Sequence, residues 1–226
     1  MARRDRFLHL ETAFLHLVHE TNDRIIPFVS KGAETKDRIV ERAFRLASRD
    51  GLDGLTIGTL AKELGLSKSG LFAHFGSKEE LQLEVLKSAA ERFTAGVLAP
   101  AFKRPRGEPR LRALFEGWLR WTSEPANIGG CLFVTASVEL DDHPGRPRDM
   151  VVGHQRQLLD TIARAARMGV ENGHFRTDLD CDQLAFEVDA IVLGYSQARR
   201  LMRAPEADVR ARTAFERLLA DARIRS

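Results

Sequence analysis

The sequence predicts an all-α protein, and three observations support this. Apolar residues recur every three or four positions along most of the chain, as they do on one face of a helix. No stretch shows the strict alternation of polar and apolar residues that marks a half-buried strand. Clusters of glycine, proline, serine and aspartate separate about nine helical segments.

Composition places the chain among ordinary globular proteins. It has 226 residues, of which 43% are hydrophobic and 30% charged, enough for one or two domains with a real core. Its two cysteines are fifty positions apart, which argues against a disulfide framework and favours a reducing compartment such as the cytoplasm. We expect no membrane segment, because no run approaches about 20 apolar residues. The net charge of +3 permits an anionic partner without requiring one.

The spacing of the helices predicts two domains and an extension. Short helices crowd into residues 34–76 and longer ones follow, so we expect a small domain at 33–80 and a larger helical domain at 81–226. The joint falls inside one helix near residues 77–98. Residues 1–32 stand apart, and the sequence leaves open whether they form an extra helix, a mobile arm, or a start codon assigned too early.

Two short helices joined by a tight turn form the local site. Thr56 caps the first helix, whose buried face includes Leu60 and the small Ala61, and Gly65 supplies a positive φ at the turn. Ser67 caps the second helix, which buries two of its residues and ends at Gly76. The buried pair is Leu71 and Phe75. Ser77 and Glu80 then predict a capping box that begins a third helix. This order is typical of a helix-turn-helix.

The open face of the second short helix suits contact with DNA. Ser69, Gly70 and Ala73 are small enough to let the helix approach base edges, and Lys68 offers a cation to guanine or to a phosphate. Thr56 presents a hydroxyl at a helix N-terminus, where anions bind. Packing alone would place apolar residues on this face, so the pattern favours a DNA-binding interpretation.

Because of these caps, the turn glycine and the small residues on the open face, segment 31–93 resembles the DNA-binding domain of the TetR (tetracycline-repressor) family of bacterial transcription regulators. The match runs from KGAETKDRIVERAFRLASRDGLDGLTI through GTLAKELGLSKSGLFAHFGSKEELQLEVL. The resemblance implies a homodimer, usually a repressor, that binds double-stranded DNA at a palindromic operator. It also implies a C-terminal domain that binds a small-molecule effector. We expect no cofactor.

The resemblance also assigns roles to single residues. Lys68, Ser69, Gly70 and Ala73 would face bases. Thr56, His74 and Lys78 would face phosphates. Phe72 stands where the family commonly has tyrosine, so a phenolic hydrogen bond to phosphate is missing and the ring would pack against sugar.

The remaining candidates lie in the larger domain, where packing inside one chain is the alternative for each. The resemblance places the dimer interface on the last two helices, with candidates Leu184, Val188, Ile191, Phe215, Leu218 and Leu219. Aromatic residues with scattered polar tips are typical of an apolar ligand pocket. The pocket candidates are Phe115, Trp118, Trp121, Cys131, Phe133, Ser137, His154 and Tyr195. A ligand there could act by tilting the helix that begins at Ser77, since that helix belongs to both domains.

Two other functions stay open at this stage. Glu139, Asp141, Asp142 and His143 could supply general-base or metal chemistry, although they precede Pro144 as a helix end running into an exposed turn would. We expect no catalytic residues and no metal site. The second alternative is a helical interaction module without DNA binding, supported by Phe72 and by the modest charge of residues 33–78, with eight Lys and Arg against six Asp and Glu.

Overall fold

A computed structural model describes residues 31–124, 127 and 129–224, and it confirms the all-α prediction. The helices are α1 (Lys31–Gly54), α2 (Ile57–Leu64), α3 (Lys68–Phe75), α4 (Lys78–Phe93), a π-helical turn (Thr94–Leu98), α5 (Ala99–Phe102), α6 (Glu108–Ser123), α7 (Leu132–Glu139), α8 (Arg146–Glu171), α9 (Cys181–Arg200) and α10 (Ala207–Ala222). The β-structure in these residues is a single bridge between Phe175 and Arg223. The predictions for residues 1–30 lie outside the described residues. The contacts that follow belong to one compact unit that begins at Lys36.

Helices α1 to α3 pack around a small apolar core, as a helix-turn-helix domain requires. Leu60 and Leu71 are buried, one on each side of the turn, and Ala61 is buried beside them. Helix α1 is kinked at Gly51, where φ is 82° and ψ is 169°. The kink turns the backbone out of its helical path shortly before the chain enters α2.

Helix α4 follows the helix-turn-helix and contacts helices on both sides of it along the chain. It packs on α3 at one end, and on α7 and α8 along its length. The helical run continues past Phe93 through the π-helical turn into α5. A π turn inserts an extra residue into a helix and is frequent at functional sites. Here it lies immediately after Phe93, beside an aromatic cluster.

The larger domain is a helical bundle in which α9 packs against both α8 and α10. Phe115 of α6 stacks on Phe215 of α10 with ring centroids 3.9 Å apart, so these two helices share a buried seam. Among the residues that the structure describes, no helix is both long and apolar enough to cross a membrane.

Candidate DNA-binding interface and effector site

The turn between α2 and α3 has the geometry that its sequence predicts. Gly65 has a φ of 65° and closes α2 with its N–H on the carbonyls of Ala61 and Lys62. The Ser67 hydroxyl caps α3 by accepting the N–H of Gly70 at 3.0 Å. Gly76 ends α3 at a φ of 71°. These local hydrogen bonds fix the angle between the two helices, and therefore the direction in which α3 faces.

Helix α3 turns its predicted base-facing residues to solvent. Lys68, Ser69, Gly70 and Ala73 are exposed. The Cε atom of Lys68 lies close to Gly58 of α2, 3.5 Å from the position that a Cβ would take there. The face opposite is buried through Leu71. The helix is thus anchored on one side, and the other side is free of large aliphatic side chains.

The predicted phosphate-facing residues surround this face. Thr56 forms a reciprocal capping box with Thr59, in which each side chain accepts the other's backbone N–H, at 3.0 and 3.2 Å. The Lys78 ammonium donates to the carbonyl of Asp53 at 3.1 Å, so it is already engaged. His74 is half-buried beside Phe75. Phe72 is 54% exposed, which is unusual for a phenyl ring inside a helix.

The capping box predicted at Ser77 forms only in part. The Ser77 hydroxyl accepts the N–H of Glu80 at 3.1 Å. The Glu80 carboxylate, however, pairs with Arg146 at the start of α8. The Glu80 side chain is therefore drawn away from the helix cap and toward the larger domain.

Five rings form an aromatic cluster where α4, α6, α7 and α8 meet. Phe93 lies at its centre, with edge-on contacts to Trp118, Trp121 and His154 at centroid distances of 6.1, 5.8 and 5.5 Å. Phe133 stacks on His154 at 3.6 Å. The structure thus brings four predicted pocket residues together around Phe93, which the sequence analysis missed. No local pattern marks Phe93, because its ring partners come from distant segments.

Cys131 and one indole add polar atoms to the aromatic cluster. The Cys131 thiol lies beside the indoles of Trp121 and Trp118, and burial raises the pKa of this thiol. The Trp118 indole nitrogen is buried without a hydrogen-bond partner of normal geometry. The Cys131 sulfur is the polar atom that lies beside this buried indole N–H.

The remaining pocket candidates lie elsewhere. Phe115 belongs to the seam between α6 and α10, where it stacks on Phe215 outside the aromatic cluster, so its place in a pocket stays a prediction. Ser137 donates to the Val134 carbonyl of its own helix at 2.9 Å. Tyr195 is buried on α9, and burial raises the pKa of its phenol.

The comparisons with known proteins fit these two sites. Residues 39–85 match the family model for bacterial regulatory proteins of the tetR family, and residues 107–215 match the tetracyclin repressor-like C-terminal domain. The chain belongs to the TetR family. It is a DNA-binding transcriptional regulator with a C-terminal ligand-binding domain.

Individual TetR relatives extend the match over most of the chain. The transcriptional repressor AcnR of Corynebacterium glutamicum is 25% identical over 171 residues, which cover 73% of this chain and 81% of AcnR. A TetR regulator from Chloroflexus aurantiacus is 27% identical, with a TM-score of 0.73 over 84% of this chain and 94% of that chain. A putative transcriptional regulator from Saccharomonospora viridis was crystallised in complex with choline. It is 26% identical, with a TM-score of 0.75 over 85% of this chain and 100% of that chain.

TetR regulators typically dimerise, and the predicted interface residues differ in how deeply they are buried. Leu184, Val188, Phe215 and Leu219 are buried in the chain's own core, which favours packing inside one chain, the alternative for each of them. Their stripe packs α9 and α10 against their own bundle. Ile191 and Leu218 are half-buried and stay predictions.

A different stripe of α9 faces solvent. Its exposed members are spaced as one helical face. They are Phe186, Ala190, Leu193, Gly194 and Gln197. Phe186 is 62% exposed and Leu193 39%, and Val209 on α10 is 67% exposed. We call these three side chains the outer apolar face. The spacing was visible in the sequence, but α9 carries two apolar stripes and only packing shows which is internal.

The acidic cluster considered for catalysis does not converge on one point. The Glu139 carboxylate accepts the N–H of Leu52 at 2.7 Å, whereas Asp141 accepts the N–H of Asp142. His143 Nδ1 lies 2.9 Å from the backbone oxygen of Glu139. Among the described residues, no three such side chains are placed to hold a metal ion. Glu139 instead contacts Leu52 of the small domain.

We expect the half-buried His154 to make stability depend on pH. Burial lowers the pKa of His154 to about 4, whereas an unfolded chain has a pKa near 6.5. Between these values the unfolded chain binds more protons, so the free energy of unfolding falls as the pH falls through this window. We expect a loss of up to about 3 kcal/mol from this residue.

Urea unfolding at a series of pH values measures this loss. His154→Phe keeps a ring against Phe133 but does not titrate, so its unfolding free energy should fall less between about pH 6.5 and 4. Equal slopes in the variant and the wild type would show that another group is responsible.

Proposed function

We propose that this regulator is a homodimeric repressor that binds a palindromic operator through α3 and releases it when a small molecule enters the aromatic cluster. The exposed N-terminal face of α3 is the observation that carries the proposal. Base contact by a helix-turn-helix comes from this end of the second helix. We place the activity in the cytoplasm, where a bacterial chromosome lies.

The proposed base contacts come from Lys68, Ser69, Gly70 and Ala73. Small side chains at three of these positions permit a close approach, and Lys68 can reach guanine O6 and N7. The flexible stem of Lys68 now lies along Gly58, from which it can swing into the groove. The half-sites of the operator would lie about 34–36 Å apart, one turn of DNA.

The proposed phosphate contacts flank the helix. Lys78 would exchange its exposed contact with Asp53 for a phosphate, which costs little because surface ion pairs contribute only about 0–1 kcal/mol. Thr56 and His74 would face the neighbouring phosphates. Phe72 has no hydroxyl, and its exposed ring would pack against a sugar.

The aromatic cluster is our proposed effector site. Its rings touch, so an effector must displace Phe93 or separate Phe133 from His154. Aromatic faces attract quaternary ammonium groups, and the Saccharomonospora relative was crystallised with choline, so choline is the first ligand to test. Phe93 ends α4, whose other end packs on α3, so displacing Phe93 would tilt the DNA-binding domain.

We propose the outer apolar face as the dimer interface. Phe186, Leu193 and Val209 would be covered by the same residues of a second copy around a two-fold axis. The symmetric pair would present two copies of α3 to two half-sites. A palindromic operator follows from that symmetry.

Selection of bound genomic fragments, followed by fluorescence anisotropy, tests the DNA-binding proposal. Binding to the selected fragment should weaken steeply between about 50 and 200 mM salt, because each neutralised phosphate releases counterions. The same fragment with its palindrome scrambled is the control. Absence of any salt-dependent binding would favour the interaction-module alternative and refute the proposal.

Lysine variants separate base contacts from phosphate contacts. Lys68→Ala should reduce the discrimination between the operator and a base-substituted operator by about 1–3 kcal/mol. Lys78→Ala should weaken binding to both DNAs equally and lower the salt slope by about one. If Lys68→Ala leaves the base preference unchanged in anisotropy, Lys68 does not contact a base.

A further inference from the structure

The kink in α1 leaves two backbone groups that an uninterrupted helix would pair. In a regular helix the N–H of Leu52 would bond to the carbonyl of Ser48, four residues earlier. The ψ of 169° at Gly51 turns the Leu52 N–H away from that carbonyl. Both groups then meet residues of the larger domain.

Glu139 binds the first of these two groups, the N–H of Leu52. Its carboxylate accepts the Leu52 N–H at 2.7 Å. The carboxylate also fills the space beside Gly51, where an added Cβ would lie 1.6 Å from Glu139 Oε1. The carbonyl of Leu52 is held from α4, since Gln82 donates to it at 3.1 Å. Leu52 is thus held on both sides by residues outside the helix-turn-helix.

Gly129 contacts the second group, the carbonyl of Ser48. A Cβ at Gly129 would lie 1.0 Å from the Ser48 carbonyl oxygen, so the two backbones are in direct contact. Gly129 and Glu139 stand just before and at the end of α7, so the segment carrying α7 touches α1 at both ends. A displacement of α7 would therefore change the contacts at the kink in α1.

Helix α7 also touches the aromatic cluster. Its first turn carries Phe133, which stacks on His154, and it is preceded by Cys131 beside the two tryptophans. Eight residues at 1.5 Å each make α7 about 12 Å long, short enough to move as one rigid body. A ligand that parts Phe133 from His154 would therefore shift Glu139 at the other end.

We infer that Glu139 is the positioning residue through which the ligand-binding domain sets the orientation of the DNA-binding domain. The inference rests on the proposed function, and adds to it the contact that transmits the signal. Asp53 and Lys78 are the charged groups nearest to this carboxylate from the small domain and α4. Burial raises the pKa of Glu139, so a neutral amide at this position should be well tolerated.

Three variants test this inference in the full-length protein. Glu139→Ala removes the acceptor, Glu139→Gln keeps an oxygen for the Leu52 N–H, and Asp142→Ala changes an exposed acidic residue in the turn after α7. The readouts are operator affinity by anisotropy, well below the unfolding temperature, and hydrogen exchange of the Leu52 amide.

We expect Glu139→Ala to speed exchange at Leu52 and to weaken operator binding about tenfold, the effect of losing one hydrogen bond to a charged group. Glu139→Gln should bind within about twofold of wild type, and so should Asp142→Ala. If Glu139→Gln restores operator binding, the effect of Glu139→Ala comes from the lost hydrogen-bond acceptor and not from the lost charge.

Two results would overturn the inference. One is a Glu139→Ala protein that binds the operator like Asp142→Ala, and the other is a Leu52 amide whose exchange does not change. If Glu139→Ala does not fold, Glu139→Asp withdraws the carboxylate by one methylene and must still weaken binding. A wild-type protein that binds no genomic fragment refutes the proposed function instead, and that is measured first.

Discussion

Phe186→Glu combined with Leu193→Glu is expected to leave the chain monomeric and to abolish tight operator binding. These two side chains are the α9 part of the outer apolar face, and they are 62% and 39% exposed. Burying four carboxylates across a two-fold axis is prohibitive, since each would lose water without gaining a partner. A monomer reads one half-site, and losing the second linked contact should weaken binding about 10²–10⁴-fold.

Sedimentation velocity and anisotropy measure the two effects on the same samples. Val138→Glu is the matched control, because Val138 is 71% exposed and lies on α7, outside the proposed interface. It should remain dimeric. A double variant that sediments as a dimer at the wild-type concentration would place the interface elsewhere. A monomer that keeps full operator affinity would contradict the two-half-site model.

Phe93→Ala is expected to lower the free energy of unfolding by about 3–5 kcal/mol, the usual cost of truncating a buried phenylalanine. The ring is buried and contacts Trp118, Trp121 and His154, so its removal leaves a cavity in the aromatic cluster. The same change should uncouple choline binding from operator release. The ligand would no longer need to displace a ring attached to the end of α4.

Phe115→Ala is the control for stability alone. Phe115 is equally buried, but it stacks on Phe215 in the seam between α6 and α10. Urea unfolding should show a similar loss, while choline titrations followed by tryptophan fluorescence and operator anisotropy should keep the wild-type response. If choline releases the Phe93→Ala protein from the operator as it releases wild type, Phe93 is not part of the switch.

The helix-turn-helix was predictable because its determinants are local. Thr56 and Ser67 cap the helices that follow them, and Gly65 and Gly76 adopt positive φ. Each of these features depends on residues within four positions. One local prediction was half wrong, because Glu80 pairs with Arg146 instead of completing its cap. A competing charge from a distant helix cannot be read from neighbouring residues.

The larger domain shows where sequence reasoning failed. Leu184 and Phe186 are two positions apart on α9, and both are apolar, yet one is 1% exposed and the other 62%. Their periodicity identifies a helix but does not say which face its own bundle covers. Glu139 was read as part of an exposed helix end, because its partner Leu52 is 87 positions away.

Local patterns were enough to predict that this protein is helical and where α3 begins and ends, since capping, glycine backbone freedom and helical periodicity act between near neighbours. Three features could be identified only once the helices were packed: the internal faces of α9 and α10, the rings around Phe93, and the backbone N–H that Glu139 accepts. Those features depend on contacts between distant segments. Their free energy comes from burial and charge pairing that exist only after the helices have packed.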